Sequence, residues 1–582
     1  SGDVTFNGNV TLTSLTTTSE DYNVIFNGSS NTITDDTDFQ NTGFVTFGNA
    51  SGDSSTFNDG LTTTAPSQIN IGGTLQTSND AMSLGDSGTA IVLVANSVLN
   101  TGSAALTLNA TVNGGYSLTL NSTAATTFVR AVGGSTALTR INTNAGGTVV
   151  FNTTAIETNG DQRYRENATI GGNITFTTGN NDLTFSGTVN SVSSTKTLDI
   201  VAGSGDVTFT GTVGGSEALG NTTIGVAGLT AGAFKVQGTL AITNSAASEI
   251  DGVISDGDSA GIITKAGAGT LTLSGDNTYT GATTVNAGTL TISHADSLGG
   301  TDGATTVASG AALSISGGIT VAEPITISGT GISSGGAIVF TGGNNTYSGA
   351  ITLGATSTIV STGGAQTISA TVNGGQALTI TANGNLVVSG AVGGSTALSA
   401  YAVTTTGSAT QTFSANVDTT GNQTYTAAGG IVTSGARTFD SSGGTVNFAS
   451  ALSGDNNLTV TGNADIDGAI TDIAVLSITG TANIGANITS SGTQTYGDAV
   501  ILSANVTLTT SSDVVTFDST VNSDGSTRNL TIATGGNSTE INFDGIVGGS
   551  QAVGEIAITG ALDLNAAISD ATSLSVSGVS NL

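Results

Sequence analysis

The sequence predicts an all-β chain wound as a parallel β-helix, a β-solenoid of about 20–26 residues per rung that forms a single elongated rod. Three observations predict it. Asp182-Leu183-Thr184-Phe185-Ser186-Gly187-Thr188-Val189 returns as Asp206-Val207-Thr208-Phe209-Thr210-Gly211-Thr212-Val213, with six of the eight positions identical. Phe6, Phe26 and Phe47 follow one another at nearly equal spacing, each with a Val two places before it. The chain holds 86 Gly but only 2 Pro, so its turns fall to Gly, Asn and Asp, while abundant Thr, Ser, Val and Ala suit pleated strands. Each copy alternates apolar and hydroxyl residues and stops at a Gly, the pattern of a short half-buried strand followed by a turn. A strand that keeps returning with the same face inward belongs to stacked rungs.

Length and charge fit that reading. A globular chain of 582 residues would divide into several domains. A solenoid escapes the limit because each rung touches only its neighbours. Charged residues make up 8% of the chain, against roughly 25% in typical soluble proteins. Hydroxyls and amides must therefore clothe the surface. The balance is acidic, 40 Asp and Glu against 9 Lys and Arg, net −31, which argues against nucleic acid and anionic membranes as partners. With no Cys, disulfides and thiolate chemistry are excluded. The most apolar run, Ala90-Ile91-Val92-Leu93-Val94-Ala95, is far short of the ~20 residues of a membrane helix, and no membrane insertion is expected.

Taken in order, residues 1–110 read as N-terminal rungs carrying the Phe ladder. Stacked strands lie about 4.8 Å apart, so roughly 25 rungs would make a rod on the order of 120 Å long. Residues 111–261 introduce paired markers. Thr111-Val112-Asn113-Gly114-Gly115 is followed, about one rung on, by Val132-Gly133-Gly134-Ser135. Looser copies link Val189 to Val213-Gly214-Gly215-Ser216 and Val521 to Val547-Gly548-Gly549-Ser550. A third marker, Gly-x-Gln-x-Tyr, stands at Gly160–Tyr164, Gly421–Tyr425 and Gly492–Tyr496. Residues 354–582 form a second block of these markers, including Val372-Asn373 and Val392-Gly393-Gly394-Ser395, with the same interval from Val372 to Val392 as from Val112 to Val132.

Residues 262–353 carry a different repeat. Gly267-Ala268-Gly269-Thr270-Leu271-Thr272-Leu273-Ser274-Gly275-Asp276-Asn277-Thr278-Tyr279-Thr280-Gly281 continues into Ala282-Thr283-Thr284-Val285-Asn286-Ala287-Gly288-Thr289-Leu290-Thr291-Ile292, and a looser copy stands at Gly342–Gly349. This stretch resembles the passenger-associated β-helix repeat of bacterial autotransporters. The flanking markers resemble those of filamentous-haemagglutinin-like surface proteins. The resemblance implies a right-handed parallel β-helix, one continuous solenoid over 1–582, displayed at the bacterial cell surface. No export signal, secretion domain or membrane barrel of complete members is visible. Both ends read as repeats: Ser1–Phe6 matches Ser204–Phe209, and Ala567–Gly578 matches Ala469–Gly480. Neighbouring repeats of a longer chain, or homotypic assembly, would then cover the open edges.

Catalysis is not expected. Glycan-acting sites bring together carboxylates and sugar-stacking aromatics, whereas this chain has no Trp and 4% aromatic residues. Its one His, His294, follows a strand-like run without an evident partner set and reads as a turn residue. No catalytic, cofactor or metal-site residue is assigned. Asp35, Asp36 and Asp38, then Asp251, Asp256 and Asp258, then Asp465, Asp467 and Asp472 are close enough in sequence to consider calcium. The regular calcium-binding nonapeptide array is missing, and turn-capping Asp residues explain them as well. Arg130, Arg140, Arg163 and Arg165 cluster after a long stretch with no basic residue. Two readings stand: a contact with the acidic N-terminal region of a neighbouring chain, or a solvated face with Glu157, Asp161 and Glu166 as local partners. Recurring Asn and Thr are expected to form ladders up the stack.

The function expected is a non-enzymatic extracellular structural protein, a surface fibre, filament or adhesive stalk, with a cell-surface or matrix ligand. The alternatives are a calcium-dependent surface-layer or matrix protein and a polysaccharide-acting β-helix enzyme.

Overall fold

A strand whose alternate residues are apolar must hide one face, and in this computed structural model each strand hides it against the other strands of its own rung. The structure describes residues 2–580. Ser1, which opens the 1–110 block and the Ser1–Phe6 repeat, and residues 581–582 at the end of the 354–582 block lie outside the described residues. Two compact units divide the chain, Ser1–Gly303 and Ala304–Leu582. Both are parallel β-solenoids with about 21 residues per rung.

In the first unit a rung contributes three strands, one to each of three parallel ladders. Gln68–Thr77 crosses two of these ladders in a single bent strand, and Met82–Leu84 occupies the third. Ile69 pairs with Ile91 above and Val45 below, while Met82 pairs with Leu106 above and Leu61 below. Burial along Gln68–Thr77 alternates except at the Gly72-Gly73 bend, where Gly73 takes φ 81°. Parallel sheets are usually covered on both faces and read as unbroken apolar runs. Here one face is wet, so the strands alternate, and the period-2 pattern of the sequence is the imprint of that half-covered sheet.

The second unit repeats the plan. Ile351–Ser361 spans two ladders and Gln366–Ile368 the third, and the next rung places Val372, Leu378 and Leu386 directly over Ile351, Ser357 and Gln366. A single 3-10 turn, Ile332–Ser334, interrupts the strands, and no α-helix occurs among the described residues.

The aromatic ladder lies where the spacing predicts. Phe6 pairs with Phe26 and Phe26 with Phe47, their rings stacked at 5.0 and 6.0 Å. The column then passes to Ile71. Phe39 and Phe57 arrive from the other faces and meet Phe47 edge-on at 5.5 Å each. Phe185 and Phe209 are paired in register, 5.4 Å apart and within 3° of parallel, and both are buried. Such pairs add about 0.5–1.5 kcal/mol each beyond the area they bury. The Gly that closes each of these strands is needed for close approach: a Cβ on Gly211 would sit 2.5 Å from the Gly187 carbonyl oxygen one rung away.

Candidate functional site

The repeated markers are internal fasteners. In Gly-x-Gln-x-Tyr, the Gln and Tyr both point inward and are fully buried. Tyr164 Oη donates to Gln162 Oε1 at 3.1 Å, and Gln162 Nε2 donates to Thr158 Oγ1 at 3.2 Å and to the Thr177 carbonyl at 2.8 Å. The same clip recurs as Tyr425–Gln423–Thr419 with the Asp440 carbonyl, and as Tyr496–Gln494–Ser490 with the Thr509 carbonyl. A buried amide is tolerated because its donors and acceptor are matched. Burial also pushes these three phenols above the usual tyrosine range. The Val markers stack as their spacing predicts, in the bridges Val112↔Val132, Val189↔Val213, Val372↔Val392 and Val521↔Val547.

His294 is in a turn, and beside its local neighbour Asp296 a neighbouring rung supplies a second partner, Asp276, that its local sequence does not reveal. Its Nδ1 lies 3.9 Å from Asp276 Oδ1 and 3.9 Å from Asp296 Oδ2, and it accepts the Asp296 backbone N–H at 3.2 Å. Asp276, His294 and Asp296 are the one group of three or more such side chains able to hold a metal ion among the described residues. All three are substantially exposed.

The three acidic triplets do not converge in this way. The carboxylate of Asp256 accepts the Gly261 N–H, the Thr280 N–H and the Thr280 hydroxyl. Asp465 is held from both sides by the Asn447 and Asn483 amides, at 2.7 Å each. Asp472 lines a different groove from Asp465 and Asp467. Asp38 takes the Gln40 amide. Ladder formation by Asn is realised at Asn7, Asn27 and Asn49, whose amides bond successively at 3.1 and 3.3 Å.

The arginine cluster pairs locally. Asp161 Oδ2 bridges Arg140 at 3.0 Å and Arg163 at 3.1 Å. Arg165 instead donates to Asn142 Oδ1 at 2.6 Å and to the Thr143 carbonyl at 2.9 Å. Glu166 is turned inward, where burial raises its pKa against the opposing pull of the Thr143 hydroxyl and the Arg165 charge. An open groove of about 460 Å³ crosses the outward side chains here, lined by Asn96, Ser117, Thr119, Arg140, Asn142 and Asp161 among others. Ser117 pairs with Arg140 and Thr119 with Asn142, so consecutive rungs build its floor.

Lys265 is a residue of functional type that no sequence motif marks. It is fully buried, and its Nζ donates to the carbonyls of Ala266, Gly267 and Ala287 at 2.8, 2.9 and 3.0 Å. Burial pushes its pKa down to about 8. Alternation with the inward Ile263 was the available signal.

These features define a parallel β-solenoid whose repeated motifs serve its own cohesion. A family model described as the passenger-associated-transport-repeat matches residues 263–292, the stretch that holds Lys265, Asp276 and Tyr279. The chain is therefore autotransporter-passenger-like in fold and in this repeat, which points to a secreted or cell-surface protein. No curated protein and no solved structure matches it. No helix among the described residues is long and apolar enough to cross a membrane.

Proposed function

We propose that this chain is a non-enzymatic structural protein displayed outside the cell, where stacked rungs build a surface fibre, filament or adhesive stalk. The observation that carries the reading is the register: within each unit, like residues sit over like through ladder after ladder, apolar inward and hydroxyl or amide outward. Continuous main-chain pairing around a dry core gives resistance to unfolding and to pulling. The hydroxyl-rich exterior keeps the surface hydrated with few charges. Residues of catalytic type are engaged structurally: Gln and Tyr in clips, Asp256 and Asp465 in hydrogen bonds, Asp161 in ion pairs.

Partners in this reading are further copies or neighbouring repeats, and an adhesive surface or matrix ligand. Electron microscopy of the purified protein, paired with adhesion of coated beads to matrix-covered surfaces, tests it. Filaments longer than one chain, or beads that adhere, are expected. Isolated particles that neither join nor adhere would overturn it.

A further inference from the structure

We propose that the groove around Arg140 binds a segment of acidic polysaccharide, a run of sugars bearing carboxylates. The inference adds a ligand to the structural role and stands independently of fibre formation.

Charge is the first argument. The protein carries −31 overall, yet Arg140 lines this groove, and Arg163 and Arg165 reach its lining residues Asp161 and Asn142. The carboxylate of Asp161 is paired with two of these arginines. At physiological ionic strength the screening length is about 8 Å, so carboxylates farther away than that are largely screened from a ligand on Arg140. Asp161 positions two guanidinium groups without consuming them. Arg140 gives it one hydrogen bond, and its side chain remains 52% exposed. A planar guanidinium with free donors matches a carboxylate in a way that an ammonium does not.

The lining is the second argument. Asn96, Ser117, Thr119 and Asn142 surround Arg140 with amides and hydroxyls, donors and acceptors suited to sugar hydroxyls. A docking protein strand would look for apolar anchors, and this groove offers none.

Tyr116 is the third. Six of the eight tyrosines are fully buried, whereas Tyr116 is 41% exposed. It precedes the lining residue Ser117, and its carbonyl accepts the N–H of Thr139, another lining residue. An exposed ring one residue along the chain from the lining offers a flat apolar platform for the C–H face of a sugar. The rungs beneath repeat every ~4.8 Å, close to the advance of an extended pyranose chain, so successive sugars meet successive rungs.

The test is calorimetric titration of the whole chain with oligogalacturonate in 0.15 M salt, with dextran as the neutral control. Wild-type protein is expected to bind oligogalacturonate and not dextran. Arg140→Gln is expected to weaken binding about 10-fold, the scale of one charge-assisted hydrogen bond. Tyr116→Ala should weaken it several-fold, and Arg528→Gln, at an arginine already paired with Asp524, should leave it unchanged. Thermal melting of each variant establishes that it is folded. No binding by wild type, equal binding by Arg140→Gln, or equal binding of dextran would overturn the proposal. So would Arg140→Gln abolishing self-association with no saccharide bound by wild type, which would assign the groove to a second copy. Adhesion or filament formation that persists without saccharide binding would separate failure here from failure of the structural role.

Discussion

Asn113 Oδ1 accepts the backbone N–H of Ser135 from the next rung at 2.9 Å, and the same bond joins Asn190 to Ser216, Asn373 to Ser395 and Asn522 to Ser550. Each Asn follows a bridging Val, and each Ser closes a Val-Gly-Gly-Ser turn whose first Gly has φ between 70° and 81°. The Asn side chain thus satisfies main-chain donors that the turn leaves outside the ladder. Asn373→Ala should cost about 1 kcal/mol, because water can partly replace the acceptor at this exposed corner. Hydrogen exchange at Ser395 and Thr396, both donors to Asn373, should accelerate while distant rungs stay protected.

Two buried tyrosines should respond oppositely to loss of the hydroxyl. Tyr425→Phe strands Gln423 Oε1 in the core and should destabilise by about 1–3 kcal/mol. Tyr401 Oη has no hydrogen-bond partner among the described residues, so Tyr401→Phe should be neutral or stabilising. Urea unfolding of the two variants side by side checks the pair; equal losses would contradict the clip.

Lys265 gives stability a pH dependence of defined sign. Its folded pKa of about 8 lies below the unfolded value near 10.4. Between these values the unfolded chain binds more protons, so stability should rise from pH 8 to 10, by at most about 3 kcal/mol. Lys265→Met should flatten this rise. Above pH 10 the trend reverses, since burial keeps Tyr164, Tyr347, Tyr401, Tyr425 and Tyr496 protonated only in the folded state. Denaturant midpoints measured across pH 7–11 would trace both limbs.

Chelation should leave thermal unfolding unchanged. Asp256 and Asp465 already accept hydrogen bonds from N–H and hydroxyl groups, and their triplets do not converge. A fall of several degrees in Tm on adding EDTA would favour the calcium-dependent alternative.

The inward and outward faces were readable in the sequence because a one-sided parallel sheet imposes alternation, as in Leu183-Thr184-Phe185. Register was readable wherever two markers kept one spacing, as Val112 and Val132 do. The meaning of Gln423 was not, because its carbonyl partner at Asp440 belongs to another strand, well beyond the reach of the five-residue marker. His294 hides its partner similarly: Asp276 stands nearly a whole rung earlier, a separation invisible to any local motif. Of the three local acids anticipated for the arginines, Asp161 supplies the ion pairs, while Glu166, at the bend between Gln162–Tyr164 and Asn167–Ile170, is buried.

The bent strands that serve two ladders, such as Gln68–Thr77, carry a consequence for how such a chain changes over generations. Each level is templated by the one beneath it and makes the same demands on the one above. Duplication or loss of a whole level by slippage in the coding repeat therefore leaves every surviving residue with suitable neighbours. Length becomes a freely adjustable property, while a gain or loss of a single residue within a strand would turn its core outward.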